Sequence, residues 1–404
     1  MVCPNFKIQN DIYNEREKIM KNILCLNKIA AIGTDLLDKS EYNVGTEVTD
    51  ADAIMVRSAA MHDMTFGAEL KAIARAGAGV NNIPVERCAK EGIVVFNTPG
   101  ANANGVKELA ICALMLASRD IAGAMKWAES LAGTEGVAKA VEAGKSKFAG
   151  VEVKGKTLGV IGLGAIGALV ANAGVALGMK VIGCDPFMSV DAAWKLEPAV
   201  EKAATFAEVF EKADYISLHV PATKDTKGMI NAETIAAMKN GVRIINLARA
   251  DLVNNADIKA AIADGKVAKY VTDFPTEETV ACEGIVAIPH LGASTAESED
   301  NCAVMAALQL DDFLRNGNIK NSVNFANVSM ARSGDARICV LSAATDTLVA
   351  DVTAAVAASG AAVVGIASKA RGENAYTIID VTGSADKAVA NVAALETVYR
   401  AYAI

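Results

Sequence analysis

The sequence predicts an α/β protein of three units: two doubly wound parallel sheets, then a small β-α-β-β-α-β unit of ferredoxin-like order. Three observations carry this. At roughly 150 residues per domain, a chain of 404 residues holds two or three domains. Short β-like runs alternate with helical stretches twice along the chain, which is the rhythm of parallel α/β layers. After about Arg332 that rhythm gives way to a compact pattern in which two β-like runs follow each other directly.

In order, the first layer is built from ILCLNKI, AIMVR, LKAIARAG and IVVFN, between Ile23 and about Ile121. A polar, helical stretch leads to about Gly150. Six β-like runs with helical intervals then make the second layer: TLGVIGLG, KVIGCD, YISLHV, VRIINLA, KYVTDF and VAIPH. Ser294-x-x-Glu297 reads as a capping box for a helix to Asn318, which follows the second sheet and is expected to pack back on the first. The last unit runs through ARICVLS, helix, AVVGIAS, AYTIIDV, helix and TVYRAYA; Leu348, Val352 and Val356 share one face of its first helix.

Composition excludes several function classes. Hydrophobic residues make up 52% and charged residues 21%, so the chain can bury sizeable cores and is not disordered. A formal net charge of -8 repels a polyphosphate backbone, so nucleic acid is not an expected partner. The three histidines, His62, His219 and His290, lie far from one another and from any Cys pair, so no metal site is expected. The eight cysteines lack C-x-x-C spacing and read as reduced thiols of a cytoplasmic protein. Residues 1–19 are mixed in charge with no apolar run, which argues for a tail rather than a signal peptide, or for an upstream start with Met20 as an alternative initiator. Leu158 to Met179 is 22 residues without a charge, but its six glycines fit a strand, a turn and a helix better than a membrane span.

Two glycine motifs compete for phosphate chemistry. Gly150-x-x-x-x-Gly155-Lys156-Thr157 matches the written P-loop pattern, but Lys156-Thr157 leads into a strand where a P-loop needs a helix. Gly162-x-Gly164-x-x-Gly167 stands at a strand exit and helix entry, and the next strand ends at Asp185, 23 residues beyond Gly162. A carboxylate there accepts ribose hydroxyls and repels a 2′-phosphate, so the motif points to NAD over NADP. His290 follows a β-like run at the carboxyl edge of the sheet, with Glu277 and Glu278 upstream; imidazole beside a carboxylate is the pairing that takes a hydroxyl proton. His219 in SLHVP reads as structural or cofactor-lining, and His62 as a loop residue.

The ordered set of Gly162-x-Gly-x-x-Gly167, Asp185, SLHVP, NLARADLV, TDFPTEE and PHLGAST resembles the D-2-hydroxyacid dehydrogenases, from about Lys21 to Ile404. Within them the resemblance is to the branch that oxidises D-3-phosphoglycerate to 3-phosphohydroxypyruvate in serine biosynthesis. It implies a discontinuous substrate-binding domain at 20–118 and 291–330, an NAD-binding Rossmann-like domain at 119–290, and an ACT-like domain at 331–404. By the same resemblance, Gly162, Gly164, Ala165, Ile166, Gly167, Asp185, Val220, Pro221, Leu247, His290 and Gly292 contact NAD, and Asp273 holds the nicotinamide carboxamide. Arg249 grips the substrate carboxylate with a planar fork, and His290 is the general base. The histidine's carboxylate partner falls five residues after Asp273, at Glu278, which is preferred; aligning on Phe-Pro-Thr-Glu gives Glu277 instead.

Substrate recognition is assigned to Arg57-Ser58 and to RAGAGVNNI, where the amides of Gly79 and Val80 receive the carboxylate. Arg57, Arg75 and Lys107 are candidates for the phosphate. The resemblance also implies a homo-oligomer, dimer or tetramer, for which the apolar stretch Ile111 to Leu116 is a contact candidate. The turn Ser342 to Thr347 lacks the Asn and Pro-Gly of amino-acid-binding ACT domains, which argues against serine feedback. Three other readings stay open: a dehydrogenase for glycerate or erythronate 4-phosphate, an NAD(H)-sensing corepressor-like binding protein, and a degenerate regulatory dehydrogenase.

Overall fold

The computed structural model describes residues 20–404, so the expected tail at 1–19 lies outside the described residues. The chain forms two compact units, one reaching Thr98 and taking up again at Cys302–Ile404, the other Pro99–Asn301.

The first unit begins with a parallel sheet of β1 (Lys21–Cys25), β2 (Tyr42–Gly45), β3 (Ala53–Val56), β4 (Ala72–Arg75) and β5 (Val94–Phe96), in the order β2-β1-β3-β4-β5. All four residues of β3 are buried, as a parallel strand covered on both faces requires. From Cys302 onward the helix Ala296–Asn316 belongs to this unit and buries Ala303, Ala306, Ala307, Leu310 and Phe313. The edge strand β2 was not among the expected runs.

The second unit holds β6 (Thr157–Ile161), β7 (Lys180–Cys184), β8 (Val200–Lys202), β9 (Tyr215–Leu218), β10 (Val242–Asn246), β11 (Val267–Thr272) and β12 (Ile285–Ala287). They pair in parallel in the order β12-β11-β10-β9-β6-β7-β8, so the chain reverses its direction of winding between β6 and β9. One face is covered by the helices Ala103–Ser118 and Ala165–Ala176, which bury Val106, Ala110, Leu114, Val170 and Ala171 with Leu158 and Val160. The uncharged stretch from Leu158 is thus β6, a turn and the Ala165–Ala176 helix. No helix among the described residues is long and apolar enough to cross a membrane. Thr157 opens β6, so the P-loop reading fails on its context.

The expected capping box at Ser294 is displaced by one residue. The helix starts at Ala296, and Thr295 Oγ1 accepts the Ser298 amide at 3.1 Å, while the Ser294 amide is already spent on the Leu291 carbonyl. Glu297 follows Ser294, and Ser298 follows Thr295, at the same i+3 offset, and the turn at Leu291 decides between them.

Within the first unit, β13 (Ala336–Ala343), β14 (Ala362–Arg371), β15 (Asn374–Thr382) and β16 (Val398–Ala403) form an antiparallel sheet of order β14-β15-β13-β16. The helices Leu348–Ala358 and Ala385–Ala393 cover one face with Val352, Val356, Ala388 and Val392 against Ile338, Val340 and Ile379. This is the ferredoxin-like unit. Its other face is tied to the end of the Ala296–Asn316 helix: Tyr376 donates to the Gly317 carbonyl, and buried Arg337 grips Asp380 and donates to the Asn316 carbonyl.

Candidate functional site

In the second unit the predicted residues line up along one edge of the sheet. Asp185 follows β7, Gly162 follows β6, His219 follows β9, Arg249 lies beyond β10, Asp273 follows β11 and His290 lies beyond β12. All are at carboxyl ends of parallel strands, and Gly162 is at the reversal point, where open α/β sheets bind ligands.

The glycine turn is built for close backbone approach. Gly162 has φ +87, and a Cβ there would lie 2.6 Å from the His219 carbonyl oxygen. A Cβ on Gly167 would overlap the Gly162 carbonyl, so strand and helix meet with no room for a side chain. Gly164 is the N-cap, makes no side-chain cap bond, and faces open space. The amides of Ala165, Ile166 and Gly167 at the helix start are therefore available to an anion. Asp185 accepts from the Leu163 amide and the Phe187 amide, each at 2.9 Å, which fixes its carboxylate against the turn.

His219 packs beneath this turn, bonded to Ser217 Oγ at 2.8 Å, and burial pushes its imidazole down to about 4. It is neutral at physiological pH and serves the turn's packing, with Val220 against Gly162. Leu247 is buried in the core with Val106 rather than exposed at the edge.

At the other end, His290 and Arg249 lie close enough to Asp273 to act on its charge. Asp273 is 1% exposed, and neither of its carboxylate oxygens has a hydrogen-bond partner. Burial raises its pKa, and the nearby His290 and Arg249 pull it back, as does the Gly292 amide, which faces the carboxylate without making a well-formed hydrogen bond. The His290 ring is exposed and lies 4.8 Å from the Phe274 ring, centroid to centroid. Glu277 and Glu278 are exposed in a turn closed by the Thr279 and Val280 amides on the Thr276 carbonyl. Among the described residues neither glutamate bonds to His290.

In the first unit Arg57 and Arg75 stand at neighbouring strand ends, and Arg75 Nε donates to the Arg57 carbonyl at 3.1 Å. The amides of Arg57, Ser58 and Ala59 all converge on Asn27 Oδ1, each at 3.0 Å. The Arg75 guanidinium lies over Gly77, where a Cβ would overlap it. Among the described residues the Gly79 and Val80 amides donate no hydrogen bond. Lys107, in the second unit, pairs with Glu108 at 3.6 Å, and His62 is an exposed loop residue bonded to the Asn81 carbonyl. No group of His, Cys, Asp and Glu among the described residues could hold a metal ion.

Residues 113–292, nearly the whole second unit, match the family model for the D-isomer specific 2-hydroxyacid dehydrogenase, NAD binding domain. The second unit is a D-2-hydroxyacid dehydrogenase NAD-binding domain. The chain is 36% identical over 297 residues to the D-3-phosphoglycerate dehydrogenase of Methanocaldococcus jannaschii, covering 71% of this chain and 54% of that one. Against the Synechocystis enzyme of the same name it is 34% identical over 336 residues, covering 78% and 58%. The chain thus spans about half the length of the curated relatives it matches. The NAD+-bound 3-phosphoglycerate dehydrogenase of Entamoeba histolytica aligns with a TM-score of 0.59 and 29% identity, covering 76% of this chain and 99% of that one.

This NAD-binding domain fits its cofactor on two features of its own: the uncapped helix start over open space, and the buried Asp273 carboxylate, able to accept from an amide such as the nicotinamide carboxamide. Two residues that hold candidate loops, one in each unit, escaped the sequence reading. Asn27 holds the Arg57 loop, and Asn246 holds the Arg249 loop. Each stands at or just past a strand end, where an asparagine reads as turn punctuation; only the number of amides it collects reveals more.

Proposed function

We propose that the chain is an NAD-dependent dehydrogenase that oxidises D-3-phosphoglycerate at C2, the entry step of phosphorylated serine biosynthesis. The observation that carries this reading is the alignment of Asp185, the glycine turn, Arg249, Asp273 and His290 along one sheet edge. The names of the relatives supply the substrate.

When bound, NAD supplies the hydride acceptor. Arg249 holds the substrate carboxylate and polarises the C2 oxygen. His290 takes the hydroxyl proton as the C2–H bond breaks, and returns it in the reverse direction. Glu278 is the preferred carboxylate to stabilise the imidazolium, with Glu277 beside it; the turn at 276–280 closes on His290 when substrate binds, since such contacts commonly tighten only in the loaded site. Asp273 accepts from the carboxamide and sets the nicotinamide face. Arg57 and Arg75 neutralise the phosphate, and the free amides of Gly79 and Val80 receive the carboxylate.

The protein works in the cytoplasm as a homo-oligomer. The helices Ile121–Glu129 and Val137–Gly144, which bury no residue in their own unit, extend the apolar contact candidate at Ile111 to Leu116. The ferredoxin-like unit is ACT-like and serves subunit contacts rather than serine binding. Arg57→Ala tests the substrate assignment: KM for 3-phosphoglycerate should rise at least tenfold relative to unphosphorylated glycerate. An unchanged KM would remove the phosphate assignment and favour another 2-hydroxy acid.

A further inference from the structure

We infer that Asn246 is the positioning residue that sets Arg249 for its substrate, an inference that rests on Arg249 being the carboxylate grip proposed above. Asn246 ends β10 and is fully buried. Its Oδ1 accepts the Ala248 amide at 3.2 Å and the Arg249 amide at 3.3 Å. Its Nδ2 donates to the Arg249 carbonyl at 2.8 Å and to Tyr270 Oη at 3.3 Å. An asparagine side chain has two lone-pair directions and two N–H donors, and here all four are used.

Both backbone polar groups of Arg249 therefore bond one side chain, the carbonyl taking the Leu252 amide as well at a longer 3.4 Å. The arginine's own side chain gives no comparable anchor: it is exposed, and Nη1 donates only to the adjacent Ala248 carbonyl at 2.6 Å. The direction in which the guanidinium leaves the sheet edge is set by its backbone, and Asn246 holds that backbone. Tyr270, on β11 beside β10, braces Asn246 from the strand that leads to Asp273. Aspartate in place of Asn246 keeps the shape and the two accepted amides, but turns an oxygen toward the Arg249 carbonyl; alanine removes all four bonds.

The test is a double-mutant cycle on the full chain, with NAD and 3-phosphoglycerate as probes. Asn246→Ala should lower kcat/KM about a hundredfold, the scale of an ångström's misplacement of a catalytic group, while the dissociation constant for NAD alone stays within twofold. Arg249→Lys, which keeps the charge without the fork, should lower kcat/KM by itself. Adding Asn246→Ala to Arg249→Lys should then cost less than threefold more. Full additivity of the two substitutions, or a parallel loss of NAD affinity in Asn246→Ala, would overturn the inference and leave the proposed function standing. An Arg249→Lys enzyme as active as the parent would overturn both. Should Asn246→Ala fail to fold, Asn246→Asp enters the same cycle with the same expectations.

Discussion

The Asp185 carboxylate is bonded to the backbone of the glycine turn itself, with Oδ2 accepting the Leu163 amide at 2.9 Å. Two cofactor determinants that lie 23 residues apart are therefore one rigid object. The carboxylate proposed to accept the ribose hydroxyls is registered against the amides proposed to receive the pyrophosphate.

Replacing Asp185 should accordingly do two things. Asp185→Ser removes the negative charge and weakens the tie to Leu163, so NAD binding should weaken by about 1.5–3 kcal/mol, the range for hydrogen bonds to a charged group. NADP binding should weaken less or improve, because the repelled 2′-phosphate no longer meets a carboxylate. Titration of both cofactors measures the ratio; an unchanged ratio would contradict the assignment.

Gly167→Ala places a methyl group on the Gly162 carbonyl, which is backbone and cannot rotate away. Strand β6 and the Ala165–Ala176 helix must separate, and stability should fall by roughly 1–3 kcal/mol, the usual cost of overpacking. NAD affinity should fall in the same variant. Gly164→Ala, which meets no neighbour, should leave stability nearly intact, and denaturant unfolding of the two variants separates the cases.

Asp273 predicts an unusual sign for a site residue. Burial, its main perturbation, raises its pKa in the fold above the unfolded value. The carboxylate form is thus disfavoured by folding: the cost is fully present above the folded pKa and disappears as pH falls below the ordinary carboxylate range. Asp273→Asn should melt higher than the parent at neutral pH in the absence of NAD, with the difference closing toward pH ~4. Saturating NAD should stabilise the parent by mass action and narrow the gap. A variant that melts lower than the parent at neutral pH would show that the carboxylate has a partner in the fold.

Arg337 and Asp380 are both fully buried, and the arginine meets both carboxylate oxygens, at 2.6 and 2.9 Å. Asp380→Ala leaves an uncompensated buried charge and should cost about 3–5 kcal/mol, loosening the ferredoxin-like sheet from the Gly317 junction. Limited proteolysis between Asn316 and Ala336 should become faster in that variant.

The sequence patterns that carried most of the fold were those enforced by burial. Runs such as AIMVR and YISLHV hold strands covered on both faces, so every strand position is buried, nearly all are apolar, and the run is visible. The edge strands β2 and β8 were not visible, because Tyr42–Gly45 and Val200–Lys202 are half-exposed and can carry Asn, Glu and Lys at no cost. Of the candidate site, the glycine turn was legible because close backbone approach at Gly162 and Gly167 leaves no room for a side chain. Asn27 was not, since the amides it collects lie on another strand end 30 to 32 residues away, and Asn246 was not, since its bonds form only when the turn that follows it folds back onto it. The choice between Glu277 and Glu278 rests on the same difficulty: two adjacent glutamates in an exposed turn differ only in the direction each faces on closure.

The most direct measurement is NADH formation by the purified full chain with D-3-phosphoglycerate, with the keto-acid product trapped to draw the equilibrium forward. The account predicts sustained turnover by the parent and a loss of about 10²–10⁴ in kcat for His290→Asn, the range contributed by a positioned general base. No turnover with this or any other D-2-hydroxy acid, or an unimpaired His290→Asn enzyme, would contradict it.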